Sequence, residues 1–190
     1  MLELFLSSIL NPRSAAERVF AWNLETRVLV LAALLFGALC GLFLALSLIL
    51  VPPPQEATAS FVAQPFMQAL VQTISIFVVA FASFRVGRMF GGTGDYNGAL
   101  KLSVWVSYLG LFMSMGALIV LLLAPPIGVV VQLAAFFWGF AIFTIFLQVL
   151  HGFDSFFMTL VGTIGTIFAV SIVIVLVISS LGLLPVGSEL

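Results

Sequence analysis

The feature that most constrains this chain is Val28 to Val51, 24 consecutive residues without a charge, closed by Pro52-Pro53-Pro54. A helix needs roughly 20 apolar residues to cross about 30 Å of hydrocarbon. Four further runs are of the same kind. Phe66 to Phe84 is stopped by Arg85 and Arg88, and Leu102 to Ala124 by Pro125-Pro126. Ile127 to Leu150 is stopped by the loop His151-Gly152-Phe153-Asp154-Ser155, and Phe156 to about Leu184 by Pro185. These runs are too long and too uniform for barrel strands. The expected fold is therefore all-α and polytopic, with five transmembrane helices in a domain spanning 28–184. Two adjacent prolines between the third and fourth runs fit two full crossings with a tight turn better than one buried hairpin. Ala57-Thr58-Ala59 resembles a cleavage site, but the apolar run before it greatly exceeds the 7–15 residues of a signal-peptide core. The first run is read as an uncleaved span.

Of 190 residues, 63% are apolar and 7% are charged, with a mean hydropathy of +1.34. Soluble domains carry about 25% charged residues. Lipid must be the solvent, which excludes a soluble enzyme, a disulfide-built secreted domain and a disordered regulator. Six Lys and Arg against seven Asp and Glu leave no basic excess for nucleic acid. One cysteine, Cys40, and one histidine, His151, build neither a disulfide nor a metal centre alone. No metal, cofactor or catalytic residue is expected.

The cations segregate completely. Arg13, Arg18 and Arg27 precede the first span, and Arg85, Arg88 and Lys101 lie between the second and third. With five spans these segments share one side, and the other side has no Lys or Arg. The positive-inside rule then puts the N-terminus in the cytoplasm and the 185–190 tail outside.

Residues 1–27 are too polar to span. Asn11 and Pro12 signal a helix start. Ala15, Ala16, Val19, Phe20 and Leu24 recur at helical spacing, with Arg13, Glu17 and Arg18 elsewhere on the wheel. Trp22 suits the headgroup zone, and Leu2 to Leu10 forms an earlier apolar patch. Two short amphipathic helices at the cytoplasmic interface are expected, as a surface anchor or as a partner-docking or curvature-sensing element.

The segment Arg85 to Lys101 contains Gly87, Gly91, Gly92, Gly94 and Gly98. It lacks the Lys-Ser/Thr end and the preceding strand of a phosphate-binding loop. It reads as a flexible connection with a turn at Asp95-Tyr96-Asn97-Gly98, or as a headgroup contact through Arg85, Arg88 and Lys101, joined by Arg13 and Arg18. His151 and Asp154 lack a nucleophile, and Asp154 is expected to cap the last helix. Gly37 and Gly41 form a GxxxG, and Gly162 with Gly165 a second small-residue face beside Thr163 and Thr166. Such faces pack helices within a bundle or between copies. Gln68 and Gln72 share a helical face, and Gln132 and Gln148 lie in the fourth span. Gln68, Gln72, Gln132 and Thr163 are the candidates for a polar groove between helices. The spans hold no acid or base at mid-depth, which argues against proton- or voltage-coupled transport.

Four features together resemble the Yip family of five-span membrane proteins, named for interaction with Rab-type GTPases. They are the Asn11-Pro12-Arg13-Ser14-Ala15-Ala16 start, the N-in/C-out five-span layout, GGTGDYNGALKLSVW before the third span and HGFDS before the last. The chain is similar to the compact bacterial members, which implies an inner-membrane, non-enzymatic protein. The long hydrophilic N-terminus and Asp-Leu-Tyr-Gly-Pro signature of eukaryotic members are absent, so their vesicle-traffic and GTPase roles are not carried over. The expected function is a scaffold or accessory subunit of a membrane complex, or a membrane-organising protein, that contacts membrane lipids and another membrane protein or itself. The alternative is a lipid-handling protein or small transporter that uses the polar groove.

Overall fold

A computed structural model describes residues 2–51 and 64–180, where all regular structure is helical. In chain order the helices are α1 (Leu2–Leu10), α2 (Pro12–Phe20), α3 (Thr26–Leu50), α4 (Pro65–Met89), α5 (Tyr96–Leu123), α6 (Pro125–His151) and α7 (Phe156–Ser180). Among the described residues, α3 to α6 are long and apolar enough to cross a membrane, and α7 adds a shorter apolar stretch, Phe156–Phe168. The triple proline after Val51, Ala57-Thr58-Ala59 and the end of the chain from 181, with Leu184, Pro185 and the tail, lie outside the described residues.

The helices outrun the apolar runs. α4 continues through Arg85 and Arg88 to Met89, and α5 starts at Tyr96, before Lys101. Hydropathy reports depth in the membrane, whereas backbone hydrogen bonding continues through helix-favouring Arg and Lys. The connection expected over Arg85–Lys101 therefore shrinks to Phe90–Asp95. The Asp95–Gly98 turn is in fact a helix start: Asp95 Oδ1 accepts from the Gly98 N–H at 2.9 Å as the N-cap of α5. At α7 the cap is Ser155, whose Oγ accepts from Met158 N–H at 3.3 Å, and not the expected Asp154. Asp154 stands one residue too early to be the residue that flanks Phe156.

α3 and α4 pack antiparallel through the GxxxG face. A Cβ at Gly41 would lie 2.6 Å from the Pro65 carbonyl oxygen, and one at Gly37 2.5 Å from that of Ala69. α5 and α6 form a second antiparallel pair, joined by Ala124 alone, with Pro125 and Pro126 opening α6. At this turn a Cβ on Gly128 would lie 2.6 Å from the Leu121 nitrogen. Leu29, Ala33, Phe36, Ile76 and Leu100 fill one core between α3, α4 and α5. Ala15, Val19, Leu102, Ile142 and Phe146 fill another between α2, α5 and α6.

That second core changes the reading of the N-terminal segment. Two short helices form as expected, but the apolar stripe of α2 faces α5 and α6 instead of lipid. Ala15 and Ala16 are small enough to bring α2 close, and both are fully buried. α1 is docked as well. Trp105 Nε1 donates to Ser8 Oγ at 3.0 Å, and Phe5 meets Phe112 edge-on with ring centroids 5.5 Å apart. Phe112 lies eleven residues along α5 from Lys101, roughly 16 Å of helix rise. α1 thus runs along α5 toward the middle of the bundle.

Candidate functional site

One end of the bundle collects the charge. Arg13 and Arg18 on α2, Arg27 on α3, and Arg85 and Arg88 on α4 are all exposed there. Arg85 lies over Phe81 and Arg88 over Phe84 on their own helix, at 6.0 and 5.8 Å from the ring centroids. Lys101 is engaged within the chain: its Nζ donates to the Trp22 carbonyl oxygen at 2.6 Å and to that of Phe20 at 3.4 Å. These carbonyls close the C-terminal end of α2, where a cation is favourable. A shallow hollow of about 460 Å³ beside Lys101 is bordered by Glu17 and Asp95.

The glycines of this end serve His151. The residue is 2% exposed, and its Nε2 is 3.0 Å from the Ser83 carbonyl oxygen. A Cβ on Gly92 would lie 2.6 Å from the His151 Cγ, one on Gly87 2.6 Å from Cδ2, and one on Gly94 2.9 Å from Cε1. Phe153 stacks on the ring at 5.4 Å, and Thr93 N–H donates to the His151 carbonyl at 3.2 Å. Gly91 and Gly152 supply the left-handed conformations that turn the two connections, at φ +83° and +69°. The glycine-rich segment is a socket for one imidazole.

At the opposite end a cleft of about 520 Å³ opens between α3, α4, α5 and α6. Gln68 and Gln72 border it from α4, Gln132 from α6, and Ser47, Ser107 and Ser114 from α3 and α5. Gly110 and Gly139 border it too, and a Cβ added at either would meet nothing within 4 Å. Phe36, Phe43 and Phe140 form its apolar part. Among the described residues, no Asp, Glu, Lys, Arg or His lines it.

Three of the four groove candidates, Gln68, Gln72 and Gln132, thus share one cleft. Thr163 is elsewhere, buried on α7 and bonded to the Thr159 carbonyl at 2.7 Å. Gly37 and Gly41 are covered by α4, whereas a Cβ at Gly162 or Gly165 would meet nothing within 4 Å. Sequence reasoning missed Ser107, Ser114, Gly110 and Gly139 because their shared feature is the space that small side chains leave between helices. The spacing of Gly87, Gly92 and Gly94 was a visible signal, but its object, His151, is remote in sequence. Among the described residues no group of three His, Cys, Asp or Glu side chains gathers as a metal site needs.

The Yip1 domain family model matches residues 6–183. The chain belongs to the Yip1 domain family. The Yip1 family is non-enzymatic, and its members interact with other membrane proteins. The match runs from the second half of α1 through α2, the four candidate spans and α7. Searches of curated proteins and of solved structures returned no match. This Yip1-domain chain is an integral, polytopic membrane protein.

Proposed function

We propose that this Yip1-domain protein is an adapter of a bacterial inner membrane, acting as a scaffold or accessory subunit of a larger membrane complex. It crosses the membrane five times, with the basic end cytoplasmic and the tail outside. The observation that carries this reading is charge segregation: all six Lys and Arg residues of the chain belong to the segments at one end. Arg13, Arg18, Arg85 and Arg88 are exposed there, available to anionic headgroups or to an acidic surface of a partner. The docked α1–α2 pair gives this end a fixed shape, which suits protein recognition better than a loose anchor.

Mild-detergent purification of the native protein, followed by mass spectrometry of proteins and lipids, tests this. A stoichiometric membrane protein, lost when Arg85 and Arg88 are both replaced by Glu, is the expected result. A chain that purifies alone at every detergent concentration, with and without the substitutions, overturns the adapter reading. A lipid-handling role is the second reading, and the cleft at the opposite end favours it.

A further inference from the structure

The cleft is graded along its length. Gln68 is three residues and Gln72 seven residues into α4, and Gln132 is seven residues into α6. At 1.5 Å per residue the amides stand roughly 5–10 Å from the helix ends. Phe36, Val106 and Phe140 border it deeper in the bundle. The three amides near one end and the aromatic walls below match an amphiphile lying parallel to the helices, with Ser107 at the depth of Phe36 and Phe140.

The polar groups are also available. Among the described residues, the hydroxyls of Ser107 and Ser114 and the amide of Gln132 make no hydrogen bond within the chain. A serine in a helix usually bonds back to its own backbone, as Ser47 does to the Leu44 carbonyl at 2.8 Å. Unpartnered hydroxyls and amides facing hydrocarbon are costly and favour an occupant that bonds to them. Amides and hydroxyls supply both donors and acceptors, so they match hydroxyl and ester groups. The lining carries no cation, so an anionic phosphodiester placed here would lose water and gain no counter-charge.

We infer that this cleft binds an uncharged glyceride of the diacylglycerol class, its hydroxyl and esters at Gln68, Gln132 and Ser114 and an acyl chain against Phe36 and Phe140. The inference goes beyond the adapter reading and does not depend on any protein partner.

Cys40 supplies a native probe, because it is the chain's one cysteine and borders the cleft. The purified full-length protein in detergent is reacted with a small maleimide, with and without dioleoylglycerol or dioleoylphosphatidylglycerol. In parallel it is irradiated with a diacylglycerol carrying a diazirine on one chain. The expected result is at least fivefold slower Cys40 labelling with dioleoylglycerol only, and crosslinks confined to the α3, α5 and α6 peptides of the lining. Gly139→Leu fills the space with a side chain whose Cβ is unobstructed, and it is expected to abolish both effects while eluting as wild type on gel filtration. Gln132→Leu removes an exposed amide without touching the core, is expected to weaken both about fivefold, and decides the matter if Gly139→Leu aggregates. Equal protection by phosphatidylglycerol, crosslinking indifferent to the variants, or Cys40 protection by a co-purified protein helix each overturn the inference. None of these outcomes changes whether a partner is retained at the basic end, so the two readings fail separately.

Discussion

His151 Nε2 stands 3.0 Å from the carbonyl oxygen of Ser83, which pins the end of α6 to the closing turns of α4. A carbonyl only accepts, so Nε2 carries the proton, and the buried Nδ1 has no partner among the described residues. The ring is therefore a neutral spacer held in a glycine socket. Replacing it leaves a void and removes the second bond to a carbonyl that α4 already bonds within itself. His151→Ala is expected to destabilise the protein by about 2–4 kcal/mol, read by thermal unfolding in detergent. Gly92→Ala puts a methyl into the ring and is expected to cost about 1–3 kcal/mol. Wild-type melting of both variants would show that the socket does not bear on stability.

The GxxxG face is consumed inside the chain. Gly41→Ala drives a methyl toward the Pro65 carbonyl, against backbone that has little room to retreat. A loss of about 1–3 kcal/mol is expected, with no change in oligomeric state by light scattering. A variant that keeps its stability but loses self-association would reassign this face to an intermolecular contact.

Lys101 closes the end of α2 through the Phe20 and Trp22 carbonyls. Lys101→Met keeps much of the stem and removes the charge-assisted bonds, each worth about 1.5–3 kcal/mol. The N-terminal pair should then open more often, and trypsin should cut at Arg13 and Arg18 several-fold faster. An unchanged digestion rate would mean that the Trp22–Trp105 contact, 5.4 Å between ring centroids, and the buried Ala15–Val19 face hold the pair by themselves.

Orientation has a direct check. In a Cys40→Ser background, Thr93→Cys and Gln64→Cys place thiols at exposed positions on opposite ends of the bundle. Intact cells treated with a membrane-impermeant maleimide should label the Gln64 variant only, and inverted vesicles the Thr93 variant only. The reverse pattern would turn the basic end outward.

Four candidate crossings and a shorter apolar helix were legible because lipid imposes a one-dimensional rule of roughly 20 apolar residues per span. The pairing of Asn11 with Pro12 marked the start of α2 for a similarly local reason. Helix ends at Met89 and Tyr96 were not legible, since Arg85, Arg88 and Lys101 leave the membrane without leaving the helix. Ser155 displaced Asp154 as a cap through a one-residue difference that only backbone geometry resolves. Gln68, Gln72 and Gln132 were singled out by polarity within apolar runs, but sharing a cleft depends on how α4 and α6 are rotated, and Thr163 shows how that can fail.

Composition and charge order by themselves determined a polytopic α-helical membrane protein with one basic end, because burial of the backbone and of charge in lipid depends on residues along the chain and hardly on their partners. Tertiary structure alone decided what each face meets: α5 and α6 for the stripe of α2, α4 for the GxxxG, His151 for the glycines of a loop some 60 residues away. Those outcomes depend on helix rotation and on the close approach of small residues, which are properties of pairs of elements and are not written in either one.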